Sequence, residues 1–291
     1  LSWFGALTVL VAKALGKPVL AKLPTGTKEA YPENSFRLRL FQRCEAIALL
    51  ATEAIADFRR LGYPEGRIFK ITNGVSTTRF SPAPRREEDP ARPLVAIYTG
   101  RLHPEKGLLE LLDVWPNVCN RIARPARLVI CGEGELEAKL RGKIEAAGMH
   151  DSVELRGRIV DVAGALREAD VFVLPSYVEG NSNAVLEAMA TGLPVVSTRS
   201  GGTPLLVGPE GADWLASPRD RQSLEDRLVR LLAEPETRRA TGDAMLRRAR
   251  EVFAIEAVAD RYVHVYQRLV AGRIDEVGAC SSPVFSQAGL R

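Results

Sequence analysis

The sequence predicts an α/β protein made of two doubly wound, Rossmann-like domains with parallel sheets, the first of them incomplete. Two observations lead to this class. Short apolar runs alternate with amphipathic segments along most of the chain, which is the pattern of strands and helices in parallel α/β layers. A proline-rich and charged stretch, Ser81 to Pro93, interrupts the alternation and is the best candidate for a linker between two domains.

The elements before the linker are few. Apolar residues at helical spacing predict a helix from Phe4 to Leu15, and the apolar run Pro18 to Leu23 predicts a strand. A strand from Ile47 to Leu50 leads into a helix that ends near Arg60, and Ile68 to Thr72 is a further short strand. Because the chain starts with Leu and enters a helix at once, we expect earlier strands of this domain to be missing from the sequence.

After the linker the alternation is regular and predicts a complete doubly wound domain. The predicted strands are Leu94–Tyr98, Leu128–Cys131, Val153–Leu155, Val171–Leu174 and Val195–Ser197. The predicted helices are Gly107–Cys119, Glu135–Ala147, Asp161–Glu168, Asn183–Ala190, Asp220–Glu234 and Pro235–Val252. A last helix follows from Ile255 to Leu269, and the tail after Arg273 is predicted to be disordered.

The composition is that of a globular protein, with 46% hydrophobic and 26% charged residues. A formal net charge of +4 is too small to indicate a nucleic-acid partner. No run is apolar enough to span a bilayer, and cysteines without CxxC spacing predict free thiols in a reducing compartment, so we expect a cytoplasmic protein. A late basic cluster indicates either a solvated helix face or peripheral contact with the inner face of the membrane. Its members are Arg227, Arg230, Arg238, Arg239, Arg247, Arg248 and Arg250.

Two loops after predicted strands carry the residues of chemical interest, because ligands of open parallel sheets bind beyond the carboxyl ends of the strands. The first loop, Thr99 to Gly107, combines two glycines with Arg101 and Lys106. Two cations beside a flexible backbone suit a diphosphate, although a solvent-exposed turn with surface basic residues explains the same pattern. His103 in this loop contacts either a bound ligand or solvent.

The second loop places Glu179 after a strand and Asn183 at the start of a helix, with Glu187 one turn further on the same face. Exposed amides at a helix N-terminus attract an anion. Carboxylates on both sides of an anion site are unsuited to phosphate but suited to sugar hydroxyls. The alternative for either carboxylate alone is an ordinary residue beside a helix cap.

The segment EGNSNAVLEAMATGLPVV, after DVFVLPS and before SGG, resembles the donor-site signature of family 4 retaining glycosyltransferases. Four other stretches resemble the same family in the same order: ITNGV with RFSP, YTGRLHPEKG, VICGEGELEAKL and LRGRIVDVAGALREADVFVLPS. The likeness extends from about Glu45 to Ala271. It implies the GT-B fold, with a partial acceptor-side domain over 1–85, a donor-binding domain over 86–254, a helix over 255–272 that packs back on the first domain, and a disordered tail over 273–291.

The resemblance also implies residue roles. Arg101 and Lys106 would bind the donor diphosphate after Gly100 and stabilise the departing nucleotide, and Glu179 would bond the transferred sugar. The remaining donor contacts would be phosphate at the backbone of Asn183 and Ala184, ribose at Glu187, and the base near Arg158 and Ile159. Gly201 and Gly202 would approach the sugar or form a plain turn.

The family transfers sugar with retention of configuration and without a divalent ion, and this sequence contains no D-x-D motif. The resemblance therefore implies no metal or other cofactor, a UDP-sugar donor and a glycan or lipid-linked acceptor. The hypothesis for the mechanism is front-face substitution assisted by the departing phosphate, with charge neutralised by Arg101, Lys106 and a helix dipole.

The acceptor side departs from the family pattern. Many members carry a histidine near the reacting sugar where this chain reads AKLPTGT. Two other hypotheses therefore stay open at this point: a fragment that binds nucleotide-sugar without transferring it, and an epimerase or phosphorylase on the same architecture. The absence of the catalytic histidines of those enzymes counts against the last two activities.

Overall fold

The computed structural model describes residues 3–23, 40, 42–50, 53–60, 62–84, 89 and 91–274. The chain divides into two compact units: Leu1–Gly74 with Ile255–Arg291, and Val75–Ala254. Apart from Arg273 and Ile274, the predicted disordered tail lies outside the described residues, as does most of the AKLPTGT stretch. Within the described ranges, no helix is both long and apolar enough to cross a membrane.

The first unit is a three-stranded parallel sheet in the order β1-β2-β3 with helices on both faces. Its elements are α1 (Trp3–Ala14), β1 (Leu20–Leu23), β2 (Ala46–Leu49), α2 (Glu53–Arg60), β3 (Ile68–Lys70) and α10 (Ile255–Val270). Successive side chains of β2 point to opposite faces, so Ile47 and Leu49 join a core with Val9 and Phe58 of the helices α1 and α2.

The opposite face of the same sheet is covered by the last helix. Ala46 and Ala48 of β2 share a buried cluster with Val258 and Val265 of α10. The small alanine side chains allow the helix to approach the sheet closely, and α10 carries a strongly one-sided apolar stripe as a helix on a sheet requires. Tyr262 packs at the edge of this cluster as a core residue.

The second unit is a six-stranded parallel sheet in the order β6-β5-β4-β7-β8-β9. Its strands are β4 (Leu94–Thr99), β5 (Ala126–Cys131), β6 (Val153–Gly157), β7 (Val171–Leu174), β8 (Val195–Thr198) and β9 (Leu215–Ala216). Its helices are α3 (Leu108–Arg121), α4 (Glu137–Ala146), α5 (Val162–Glu168), α6 (Asn183–Ala190), α7 (Thr203–Gly211), α8 (Arg221–Ala233) and α9 (Pro235–Val252). Every residue of β7 and β8 is buried, as expected for strands covered by helices on both faces.

The division between the units falls at Gly74 and Val75, earlier than the predicted boundary at residue 85. The segment after Val75 belongs to the second unit because it is bonded to it at two places. The N–H group of Val75 donates to the carbonyl of Phe253, and the guanidinium of Arg167 donates to the carbonyls of Arg79 and Ser81. The proline-rich composition predicted a linker, but a hydrogen bond places its first residue, Ser81, on the second unit.

Two elements of the second unit were not predicted, α7 and β9. Glycines and prolines fill this region, and that composition is typical of loops. The helix α7 continues across a kink because the kink falls at Gly208, a glycine that adopts a left-handed φ of 68°. The guanidinium of Arg248 donates to the carbonyls of Leu205 and Leu206 beside that kink, so this member of the basic cluster stabilises the fold from within.

Candidate functional site

The strand order of the second unit fixes where a ligand can bind. From β4 the chain builds one half of the sheet outward through β5 and β6, and then returns to add β7, β8 and β9 on the other side of β4. In such a sheet the loops after the two central strands leave in opposite directions and open a crevice between them. The loops after β4 and β7 are the two that carry Arg101, Lys106 and Glu179.

The loop after β4 is held in a defined shape. The N–H group of Gly100 donates to the carbonyl of Cys131 at 3.0 Å, and the buried hydroxyl of Tyr98 donates to the carbonyl of Arg101 at 2.7 Å. Burial raises the pKa of Tyr98, with the charge of Glu179 adding to the effect, so the hydroxyl keeps its proton and stays a donor. A short 3-10 turn, Pro104–Lys106, then brings the lysine toward the crevice.

The loops after β4 and β7 approach each other through their backbones. Gly107 ends the 3-10 turn with φ 66°, and a Cβ atom at that position would lie 2.1 Å from the carbonyl oxygen of Pro175. The N–H group of Tyr177 donates to the carbonyl of Glu105 at 2.7 Å. Gly107 is therefore required by space as well as by conformation, and it allows the two predicted loops to form one site.

A third loop closes on the same segment. A Cβ atom on Gly201 would lie 1.5 Å from the carbonyl oxygen of Glu179, and one on Gly202 would lie 2.2 Å from that of Gly180. The N–H group of Gly202 donates to the carbonyl of Gly180 at 2.8 Å. The two glycines therefore pack against the backbone of the Glu179 loop.

Lys106 and Glu179 meet at the centre of the crevice. The Nζ atom of Lys106 donates to Oε1 of Glu179 at 2.6 Å, and their side chains are 15% and 9% exposed. An ammonium has three N–H donors, so two remain for a ligand. Arg101 lies on the same loop with its side chain exposed, and its guanidinium has no hydrogen-bond partner among the described residues.

The helix α6 begins at Asn183, four residues after Glu179. Ser182 precedes the helix with extended backbone, and its hydroxyl accepts a hydrogen bond from the N–H group of Val185 at 3.4 Å. Asn183 and Ala184 are the first two residues of α6, and the first N–H groups of a helix point away from its body. The dipole of a helix favours an anion at this end, and α6 follows the loop that carries Glu179.

Glu187 lies one turn along α6 and is half-buried. Burial raises the pKa of its carboxyl group above the ordinary value of 4.5, and the charge of Arg79 partly opposes this effect. No side chain or backbone group of the described residues donates a hydrogen bond to its carboxylate oxygens. Such a group is costly to keep ionised without donors, and hydroxyl groups of a ligand would supply them.

Arg158 and Ile159 follow β6 at the edge of the sheet, two strands away from β4. At the usual strand spacing this places them about 10 Å from the loop that carries Arg101. The intervening loop is joined to them by the N–H group of Gly132, which donates to the carbonyl of Gly157 at 2.8 Å. They lie at the same end of the sheet as the Lys106–Glu179 pair without contacting it.

One polar residue of the crevice has no sequence signal of its own. Ser176 is fully buried, and its hydroxyl donates to Oε1 of Glu179 at 2.7 Å. Its position just beyond the carboxyl end of β7 is the one clue that could have singled it out.

Across the described ranges, no group of three or more His, Cys, Asp or Glu side chains could hold a metal ion.

A cavity of about 400 Å³ opens at the other end of the same sheet. Leu94, Asp170 and Pro194 line it at the amino ends of β4, β7 and β8. Arginines on its walls are already engaged, since Arg92 pairs with Asp170 and Arg238 donates to two carbonyls near the end of α8. Ligands of open parallel sheets bind beyond the carboxyl ends of the strands, so we assign the site to that end and not to this cavity.

Residues 93–234 match the family model described as glycosyl transferases group 1. The chain is 35% identical over 202 residues to the putative colanic acid biosynthesis glycosyltransferase WcaL of Escherichia coli, covering 66% of this chain and 48% of the relative. It is 35% identical over 233 residues to the MMP alpha-(1->4)-mannosyltransferase of Mycolicibacterium hassiacum, covering 79% and 54%. The chain thus spans about half the length of these curated relatives.

Solved structures share the fold at low identity. Sucrose-phosphate synthase from Thermosynechococcus elongatus superposes with a TM-score of 0.74 at 23% identity, covering 92% of this chain and 72% of that one. Anabaena HepE in complex with UDP superposes with a TM-score of 0.79 at 18% identity, covering 90% and 75%. The chain therefore belongs to the glycosyl transferases group 1 family, and its fold is that of the GT-B glycosyltransferases.

Proposed function

We propose that the protein transfers a sugar from a UDP-sugar to a glycan or lipid-linked acceptor, with retention of configuration and without a metal ion. The observation that carries the proposal is the contact between Lys106 and Glu179 at the point where the strand order reverses. A cation and a carboxylate that share one buried crevice can bind the two chemically different parts of a nucleotide-sugar, its phosphates and its hydroxyl groups.

The charges of the site define the orientation of the donor. The diphosphate lies between Arg101, the two free N–H donors of Lys106 and the N-terminus of α6. Glu187, half-buried and lacking donors, accepts from the ribose hydroxyls on one side of the phosphates. Glu179 accepts from the transferred sugar on the other side, and the base extends toward Arg158 at the edge of the sheet.

In the proposed reaction the bond between C1 of the sugar and the β-phosphate oxygen breaks, and a bond from C1 to the acceptor oxygen forms on the same face. The acceptor proton passes to the departing phosphate oxygen, and the nucleoside diphosphate leaves. Arg101, Lys106 and the dipole of α6 are placed to stabilise the charge that develops on the phosphate. These positive groups of the protein support a reaction that needs no metal ion.

The names of related proteins support the choice of donor and acceptor. HepE has been crystallised with UDP and with UDP-glucose, and TarM with UDP and a GlcNAc-glycerol compound. WcaL is named for colanic acid biosynthesis, and a mannosyltransferase of Corynebacterium glutamicum is named as GDP-mannose-dependent. These names include both UDP and GDP donors, and for this chain we expect tighter binding of UDP than of GDP.

Calorimetric titration of UDP and of GDP in the presence of EDTA tests the proposal. We expect wild-type protein to bind UDP, and Glu187→Ala to weaken that binding by about 1–3 kcal/mol because charged hydrogen bonds are lost. The full chain should also release UDP from a UDP-sugar in the presence of an acceptor, at a rate that EDTA leaves unchanged. A folded protein that binds neither nucleotide, or that turns over only with a divalent ion, contradicts the proposal.

A further inference from the structure

Ser176 lies between the end of β7 and Glu179 and is completely buried. Its hydroxyl donates to Oε1 of Glu179 at 2.7 Å, and Lys106 Nζ donates to the same oxygen at 2.6 Å. A serine hydroxyl without exposure has no water to bond with, so this carboxylate is its hydrogen-bond partner. The serine is thus committed to one oxygen of one functional side chain.

The two donors leave the other oxygen of the carboxylate available. Both hydrogen bonds end on Oε1 of Glu179, and Oε2 has no hydrogen-bond partner in the described part of the chain. A carboxylate can accept about four hydrogen bonds. Because two donors converge on Oε1 from a serine and a lysine, the plane of the carboxylate is restrained and Oε2 is presented in one place.

The backbone of Ser176 is itself fixed from the neighbouring strand. The hydroxyl of Thr198, at the end of β8, donates to the carbonyl of Ser176 and lies 3.2 Å from the hydroxyl of Ser200. All three residues are buried. The serine is therefore attached to the sheet rather than to a loose loop, which is the condition for holding a ligand-binding side chain precisely.

We infer that Ser176 is the positioning residue for Glu179, and that it sets the recognition of the transferred sugar without contributing to the binding of the nucleotide. The inference rests on the proposed function, because it takes Oε2 of Glu179 to be the acceptor for sugar hydroxyls. It distinguishes two parts of the donor: the diphosphate bound by Arg101 and Lys106, and the sugar held by a carboxylate that Ser176 orients.

The test compares Ser176→Ala with Ser197→Ala. Ser197 is also fully buried at the carboxyl end of this sheet, but its hydroxyl donates to the carbonyl of Leu174 at 2.6 Å and not to Glu179. Each variant is titrated by calorimetry with UDP and with the tightest binder among UDP-glucose, UDP-galactose and UDP-N-acetylglucosamine. The quantity compared is the ratio of the two dissociation constants, which cancels any general loss of folded protein.

We expect Ser176→Ala to weaken binding of the UDP-sugar roughly tenfold, the effect of one lost hydrogen bond to a charged group, while UDP binding changes less than about twofold. Ser197→Ala should leave the ratio unchanged. In a Glu179→Gln background, Ser176→Ala should add little, because the serine acts through that carboxylate.

Equal losses for UDP and UDP-sugar, or an undiminished effect in the Glu179→Gln background, would overturn the positioning role while leaving the proposed function in place. A folded wild-type chain that binds none of these nucleotides would overturn the proposed function and this inference with it.

Discussion

The carboxyl group of Glu187 is harder to ionise in the unliganded protein than in a complex whose ligand donates hydrogen bonds to it. Burial raises the pKa of this carboxyl group in the unliganded protein. Ribose hydroxyls that donate to the ionised form would lower the pKa again in the complex. Nucleotide binding should therefore release a proton at pH values between the pKa of Glu187 in the complex and its higher pKa in the unliganded protein. Nucleotide affinity is then highest above the raised pKa and falls as the pH drops through it.

Glu187→Gln separates this effect from titration of the nucleotide. The amide cannot ionise, while protonation of the UDP phosphate affects both proteins alike. At pH 8 we expect the variant to bind UDP roughly tenfold more weakly than wild type, through loss of charged hydrogen bonds. That ratio should shrink toward one as the pH falls below the pKa of Glu187. A ratio that stays constant between pH 8 and pH 4.5, measured by calorimetry, would show that Glu187 does not hold the ribose.

At the scale of elements, the close approach of the loops after β4 and β7 depends on Gly107. Gly107 and Gly148 have nearly the same left-handed backbone, with φ of 66° and 62°, but only Gly107 has a neighbour within reach of a Cβ atom. An alanine at either position pays a conformational cost of roughly 1–2 kcal/mol. At Gly107 the added carbon also meets the carbonyl oxygen of Pro175, which would push the two loops apart.

We therefore expect Gly148→Ala to lower the free energy of unfolding by about 1 kcal/mol and to leave the UDP dissociation constant unchanged. Gly107→Ala should lower the free energy of unfolding further and weaken UDP binding at least roughly tenfold, since it displaces Lys106 and α6 relative to one another. Chemical denaturation and calorimetry measure the two quantities. Identical behaviour of the two variants would mean that the loops tolerate separation.

Sequence patterns predicted these elements unevenly. The strands β4 to β8 of the second unit were predictable because apolar runs alternate with amphipathic helices there. The helix α7 was not, because its stability depends on the hydrogen bonds from Arg248 to carbonyls near Gly208, a contact between distant parts of the chain. The motif resemblance likewise placed Lys106 and Glu179 in one site, but their direct contact and the contribution of Ser176 required the register of β4 against β7.

On the scale of the whole molecule, all residues assigned to the donor lie in the unit Val75–Ala254. The other unit has its own cores, one of them built between its sheet and α10. Units with separate cores generally unfold separately unless a large apolar interface joins them. Nucleotide binding and the packing of α10 should therefore stabilise different parts of the protein.

Differential scanning calorimetry of the full chain should show two transitions. UDP at 100 times its dissociation constant should raise the midpoint of one, with about 2.7 kcal/mol of added stability. Val265→Ala removes two buried methyl groups from the face of α10 that packs on the sheet. It should lower the midpoint of the other transition by roughly 6–13 °C, from a loss of about 1.5–3 kcal/mol. Val263→Ala, on the same helix but 50% exposed, should shift neither transition. A single transition that both UDP and Val265→Ala shift would mean that the two units unfold as one, and that donor binding reports on the stability of the entire molecule.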